Sequence, residues 1–130
     1  MEKKDITVLI IEDDDSPAGV FRTVVDRLGF KTELAMTEKE GIDLILKKPE
    51  IVLSDTYCNG LPYGPNIVKK ARSLGHKPRI IANSGDSKGQ DEWKSLEPDY
   101  FFRKPVEIAE LRNALNDLYE TIKKERESKA

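Results

Sequence analysis

The chain of 130 residues has one cysteine, one histidine and one tryptophan, and it has no long apolar run. Each shortage excludes something. Cys58 has no second cysteine to pair with, so no internal disulfide forms and a cytoplasmic setting is the expectation. Cys58 and His76 alone cannot build a structural zinc site. No apolar stretch approaches the roughly 20 residues of a membrane span, so no membrane insertion is expected. The opening residues MEKKD lack the apolar core of a secretory signal. Neither sign of charge dominates. A net charge of −2 and a pI of about 5.5 offer none of the basic footprint that non-specific nucleic-acid binding needs, and no nucleic-acid partner is expected. Internal repeats and low-complexity linkers are missing as well. The length, with 38% hydrophobic residues, fits a single domain over 1–130, its core about 5–123 and a charged helical end over 120–130.

What is present is an alternation of short apolar runs with longer amphipathic segments. TVLIIE (Thr7 to Glu12) is continuously apolar before its acid, as a strand buried on both faces should be. Ser16 and Pro17 supply an N-cap and a first-turn proline for a helix facing inward with Val20, Phe21, Val24, Val25 and Leu28, stopped at Gly29. Lys31 to Ala35 reads as a second strand. A helix over Glu38 to Lys47 turns Ile42, Ile45 and Leu46 inward. IVLSD (Ile51 to Asp55) is a third strand, CNGLPYGP a loop, and Asn66 to Leu74 a helix ended by Gly75. Arg79 to Ser84 and Tyr100 to Lys104 are the fourth and fifth strands. Between them a short helix is expected around Asp91 to Leu96, anchored in the core by Trp93 and Leu96. The last helix begins near Glu107 and carries Ile108, Leu111, Leu115, Leu118 and Ile122 as a core-facing stripe, with a fraying tail KKERESKA. His76, in the turn LGHKP, is expected to be solvated, and Cys58 to be a plain loop residue.

Strands alternating with helices imply right-handed βαβ units and a parallel sheet covered on both faces. Five of each fit an α/β, flavodoxin-like doubly wound (βα)5 fold with strand order 2-1-3-4-5. In such sheets ligands bind beyond the carboxyl ends of the strands. The residues there are Glu12 and Asp13, Asp55, Ser84 and Lys104. The run Glu12-Asp13-Asp14-Asp15 stacks like charge at the end of an apolar strand, which repulsion opposes. Close carboxylates suit a hard divalent cation such as Mg2+, for which Asp13, Asp55 and a backbone carbonyl could be ligands. The cation would offset the repulsion and keep Asp55 ionised as a nucleophile. Lys104 and the Ser84 hydroxyl could then bind the oxygens of an attacked phosphoryl group. Asp14 and Asp15 fit better as helix-start residues favoured by the helix dipole. An EF-hand loop is excluded because Ala18 stands where its glycine is needed.

Taken together, LIIEDD, IVLSD, IIANSG and FFRKP resemble the receiver domain of two-component response regulators, in order and over Asp5 to about Lys123. The resemblance implies a signalling switch, of the stand-alone type, with Asp55 as phosphoacceptor. It implies Glu12, Asp13, Asp55 and the backbone carbonyl of Tyr57 as Mg2+ ligands, Lys104 as an essential cation and Ser84 as switch hydroxyl. Phe101 would be the switch aromatic on the fifth strand, and the peptide before Pro105 would be cis. The implied partners are a sensor histidine kinase or histidine phosphotransfer protein and an unknown downstream protein. Catalysis is expected to extend only to the chain's own phosphorylation and dephosphorylation.

The sequence also departs from that pattern. The loop TYCNGLPYG is about one residue longer before Gly64, and the Tyr57 ring stands where phosphoryl lifetime is tuned. Phe101 lacks the hydroxyl of the common tyrosine, so switching there would act by packing. Two other readings compete. Asp13-x-Asp15, Ser84 and a lysine echo the Mg2+-dependent haloacid-dehalogenase phosphohydrolases, although only a helix follows Lys104 where those enzymes need a further acidic pair. The other is a receiver-like binding module that is never phosphorylated.

Overall fold

The computed structural model describes residues 1–129; Ala130, the end of the charged tail, lies outside the described residues. Five parallel strands are β1 (Thr7–Ile11), β2 (Lys31–Ala35), β3 (Ile51–Ser54), β4 (Arg79–Ser84) and β5 (Tyr100–Arg103). They lie in the order β2-β1-β3-β4-β5, as the alternating pattern predicts. Successive side chains of a strand point to opposite faces, so one run of apolar residues serves two cores. Val8 and Ile10 pack under α1 (Asp15–Leu28) and α5 (Ile108–Ser128) with Phe21, Val25, Leu111 and Leu115. Leu9 and Ile11 face the other way, toward α2 (Glu38–Ile45), α3 (Tyr63–Ser73) and α4 (Ser87–Trp93), with Ile67, Val68 and Trp93. Each fully buried aliphatic side chain contributes about 1.5–3 kcal/mol of transfer free energy, so the doubly covered centre of the sheet is its best-anchored part.

Several local expectations shift. Helix α1 is capped by Asp14, whose carboxylate accepts from the Ser16 N–H at 3.2 Å, and not by Ser16. Two acids precede the expected cap, and the first able to reach the second backbone N–H takes the position. Val20 is 44% exposed because it lies about 100° round the helix from Phe21, at the margin of the buried stripe. Leu46 and Ile108 are also exposed rather than inward: one follows the end of α2 and the other opens α5. Helix α3 starts at Tyr63, three residues before the expected Asn66, with Tyr63, Gly64 and Pro65 all buried. Helix α4 starts at Ser87, capped by Asp86, and the expected Asp91–Leu96 segment is its end plus a 3-10 turn over Lys94–Leu96. Trp93 and Leu96 are buried as expected.

The tail remains helical through Ser128 and does not fray among the described residues. Arg126 pairs with Glu50 at 2.9 Å, Glu125 with Arg79, and the Tyr119 hydroxyl donates to the Met1 carbonyl at 2.9 Å. His76 is half-buried, its Nε2 lying 2.8 Å from the Pro49 carbonyl oxygen, rather than solvated.

Candidate functional site

Strands β1, β3 and β5 each stop one residue earlier than the sequence suggests, yet the next residue is still tied to the neighbouring strand, while β4 ends at Ser84 as expected. The Glu12 N–H donates to the Ala35 carbonyl at 3.0 Å, the Asp55 N–H to Ile11 at 2.8 Å, and the Lys104 N–H to Ser84 at 2.9 Å. The backbones of all three are therefore held by the sheet while their side chains leave it. The Lys104–Pro105 peptide is cis, as expected.

The result is a compact charged cluster. Ligand atoms of Glu12, Asp13 and Asp55 all lie within 4.8 Å of one another, with Glu12 and Asp55 buried and Asp13 exposed. Lys104 Nζ stands 2.8 Å from Asp55 Oδ1 and 3.6 Å from Glu12 Oε1. Burial works against the Lys104 ammonium, but hydrogen bonding and charge from Asp55, then Glu12, outweigh it and raise its pKa. Burial first, and the Asp55 charge second, push the Glu12 carboxyl up to about 7. Glu12 Oε1 is buried without a hydrogen-bond partner. An orphaned buried oxygen among three carboxylates is the donor set a hard divalent cation takes, so the residues fit Mg2+. Asp15, needed by the phosphohydrolase reading, is the first residue of α1 and stands outside this cluster.

Ser84 ends β4, buried, with the Asp86 N–H 3.4 Å from its Oγ. Phe101 is half-buried on the α4 side of the sheet, while its neighbours Tyr100 and Phe102 stack on the opposite side. Tyr57 is half-buried at the loop start, one residue past Thr56.

Sequence reasoning missed the residues that surround Asp55. Thr56 is buried; its N–H donates to Asp55 Oδ1 at 2.8 Å and its hydroxyl to the Asn83 carbonyl at 2.8 Å. The same hydroxyl accepts from the Trp93 indole N–H at 2.9 Å, so Trp93 is more than a packing anchor. Tyr63, 1% exposed, directs its hydroxyl to Asp55 Oδ2 at 3.4 Å. One signal was available. Asn59-Gly60 is the dipeptide of a two-residue hairpin, and here both have positive φ, with Cys58 and Leu61 exchanging backbone hydrogen bonds of 2.9 and 3.0 Å. This tight turn absorbs the extra loop residue and returns the chain so that Tyr63 points inward. Burial, followed by a hydrogen bond and charge from Asp13, pushes the Cys58 thiol up, which leaves it a poor nucleophile.

No family model and no curated protein matches the sequence. Solved structures do. The N-terminal domain of an uncharacterised Wolinella succinogenes protein is 24% identical with a TM-score of 0.84, over 92% of this chain and 98% of that one. The receiver domain of a Francisella response regulator is 25% identical, TM-score 0.78, over 90% and 98%. A CheY-like response regulator receiver domain from Methylobacillus flagellatus is 25% identical, TM-score 0.74, over 87% and 98%. The chain has the fold of CheY-like response regulator receiver domains and is similar to them over most of its length. That likeness supports a phosphorylation-dependent switch. Among the described residues no helix is long and apolar enough to cross a membrane.

Proposed function

We propose that the chain accepts a phosphoryl group on Asp55 and signals through protein contacts that depend on it. The observation that carries this reading is the Lys104 ammonium, 2.8 Å from Asp55 Oδ1, beside three carboxylates able to take a divalent ion. The donor would be the phosphohistidine of a sensor kinase or of a phosphotransfer protein. Glu12, Asp13, Asp55 and the Tyr57 carbonyl would hold Mg2+, which would supply positive charge against the phosphoryl oxygens. The remaining work falls to the chain. Asp55 attacks through a carboxylate oxygen held steady by the Thr56 N–H on its other oxygen. Lys104, charged throughout, transfers its contact from the Asp55 carboxylate to a phosphoryl oxygen. Ser84, at the end of β4, turns its hydroxyl toward another phosphoryl oxygen, and Phe101 repacks behind it. Partners then read the altered surface of α4, β5 and α5.

The test uses Trp93, the single tryptophan, whose indole N–H is one hydrogen bond from Thr56 and so adjacent to Asp55. Acetyl phosphate or beryllofluoride with Mg2+ should change its emission, and Asp55→Asn should abolish the change. An equal response from Asp55→Asn overturns the assignment.

A further inference from the structure

The two oxygens of Asp55 are not equivalent. Oδ1 accepts from Lys104 Nζ and from the Thr56 N–H, both at 2.8 Å. Oδ2 has one protein donor, the Tyr63 hydroxyl at 3.4 Å. Hydrogen-bond donors draw electron density from a carboxylate oxygen, so Oδ2 is the better nucleophile and the atom through which a phosphoryl group would be attached.

The phenol is built into this position. The Cys58–Leu61 hairpin reverses the chain, and the Tyr63 N–H then bonds the Leu61 carbonyl at 2.8 Å. Next in sequence, Gly64 packs so tightly that a Cβ there would overlap the Asp55 carbonyl oxygen and Ser54 Oγ. The start of α3 is thus pressed against the backbone of Asp55. Tyr63 is buried, and Asp55 is its hydroxyl's hydrogen-bond partner.

We propose that the Tyr63 hydroxyl shortens the life of a phosphoryl group on Asp55 by hydrogen-bonding the oxygen from which that group leaves. The inference rests on Asp55 being the phosphoacceptor. In hydrolysis, a water oxygen bonds to phosphorus, the Oδ2–P bond breaks, and its electron pair returns to Oδ2. The water's protons end on the released phosphate and in solvent; Tyr63 keeps its own. The bridging oxygen of an acyl phosphate accepts a hydrogen bond weakly, and a carboxylate oxygen accepts strongly. The bond from Tyr63 therefore strengthens as charge returns to Oδ2, and it favours the transition state over the phosphorylated ground state.

The experiment compares wild type with Tyr63→Phe, which keeps the ring and removes the hydroxyl. Both are labelled with radioactive acetyl phosphate and Mg2+, freed of donor, and followed as the label decays. Decay should be roughly three- to ten-fold slower in Tyr63→Phe, the range expected for part of one hydrogen bond to a developing charge. In metal-free protein, the fall in urea midpoint caused by Tyr63→Phe should be smaller when Asp55 is already Asn, since the carboxylate is the stronger acceptor. Label on Asp55 that decays equally fast in both proteins overturns the inference and leaves the phosphoacceptor intact, as do equal midpoint falls. Wild type that takes no label overturns the phosphoacceptor assignment and this inference with it.

Discussion

Gly89→Ala probes the contact between α4 and the proposed switch hydroxyl. A Cβ at Gly89 would overlap both Oγ and Cβ of Ser84 and lie 3.3 Å from Thr56 Oγ1. The Ser84 hydroxyl could rotate away, but its Cβ is fixed by a buried strand, so the helix must give. Carbon pairs rest at about 3.5–4.0 Å, which asks α4 to lift by roughly 1 Å. Such overpacking costs about 1–3 kcal/mol. The lift also stretches the 2.9 Å bond from the Trp93 indole to Thr56, a further ~1 kcal/mol. Against these stands the helix preference of Ala over Gly, ~1 kcal/mol. The net expectation is a destabilisation of about 1–3 kcal/mol with altered Trp93 emission, measured by urea unfolding. The control is Gly19→Ala in α1, where nothing lies within 4 Å of the added carbon and the protein should gain slightly. A Gly89→Ala protein as stable as wild type, with unchanged emission, would refute the argument.

Thr56→Val keeps the shape but leaves the Trp93 N–H and the Asn83 carbonyl without their partner, and should cost about 2 kcal/mol or more; an unmoved urea midpoint counts against the network. The Glu12 carboxyl is raised from 4.5 to about 7 by burial and the Asp55 charge, so its contribution to metal-free stability is complete below pH 4.5 and disappears as pH rises through about 7. Glu12→Gln should flatten that fall in metal-free protein, and Mg2+ should stabilise wild type more at pH 8 than at pH 5; a wild-type profile identical to that of Glu12→Gln would contradict the charge balance described for the site.

The strand order and the acidic cluster follow from features visible along the chain. Val8 to Ile11 is too continuously apolar for anything but a doubly covered strand, and the crossover rule for parallel strands restricts the order of the rest. Once strands are assigned, Glu12, Asp13, Asp55 and Lys104 must converge, because parallel strands deliver their carboxyl ends to one edge. Composition also excluded an internal disulfide and a structural zinc site built from Cys58 and His76. Where the sequence misled, the deciding interaction came from elsewhere in the fold. Arg126 and Glu125 find Glu50 and Arg79, distant in sequence, and hold a tail that by local charge should fray. His76 reaches the Pro49 carbonyl, 27 positions away, for the same reason. The hydrogen bonds around Asp55 beyond the acidic cluster and Lys104 were decided by tertiary structure. Thr56, Trp93 and Tyr63 carry no motif, since hydrogen bonds between residues 37 and 8 positions apart leave no periodicity to detect. Periodicity reports which face of an element is buried; only packing decides which hydroxyl meets which carboxylate oxygen.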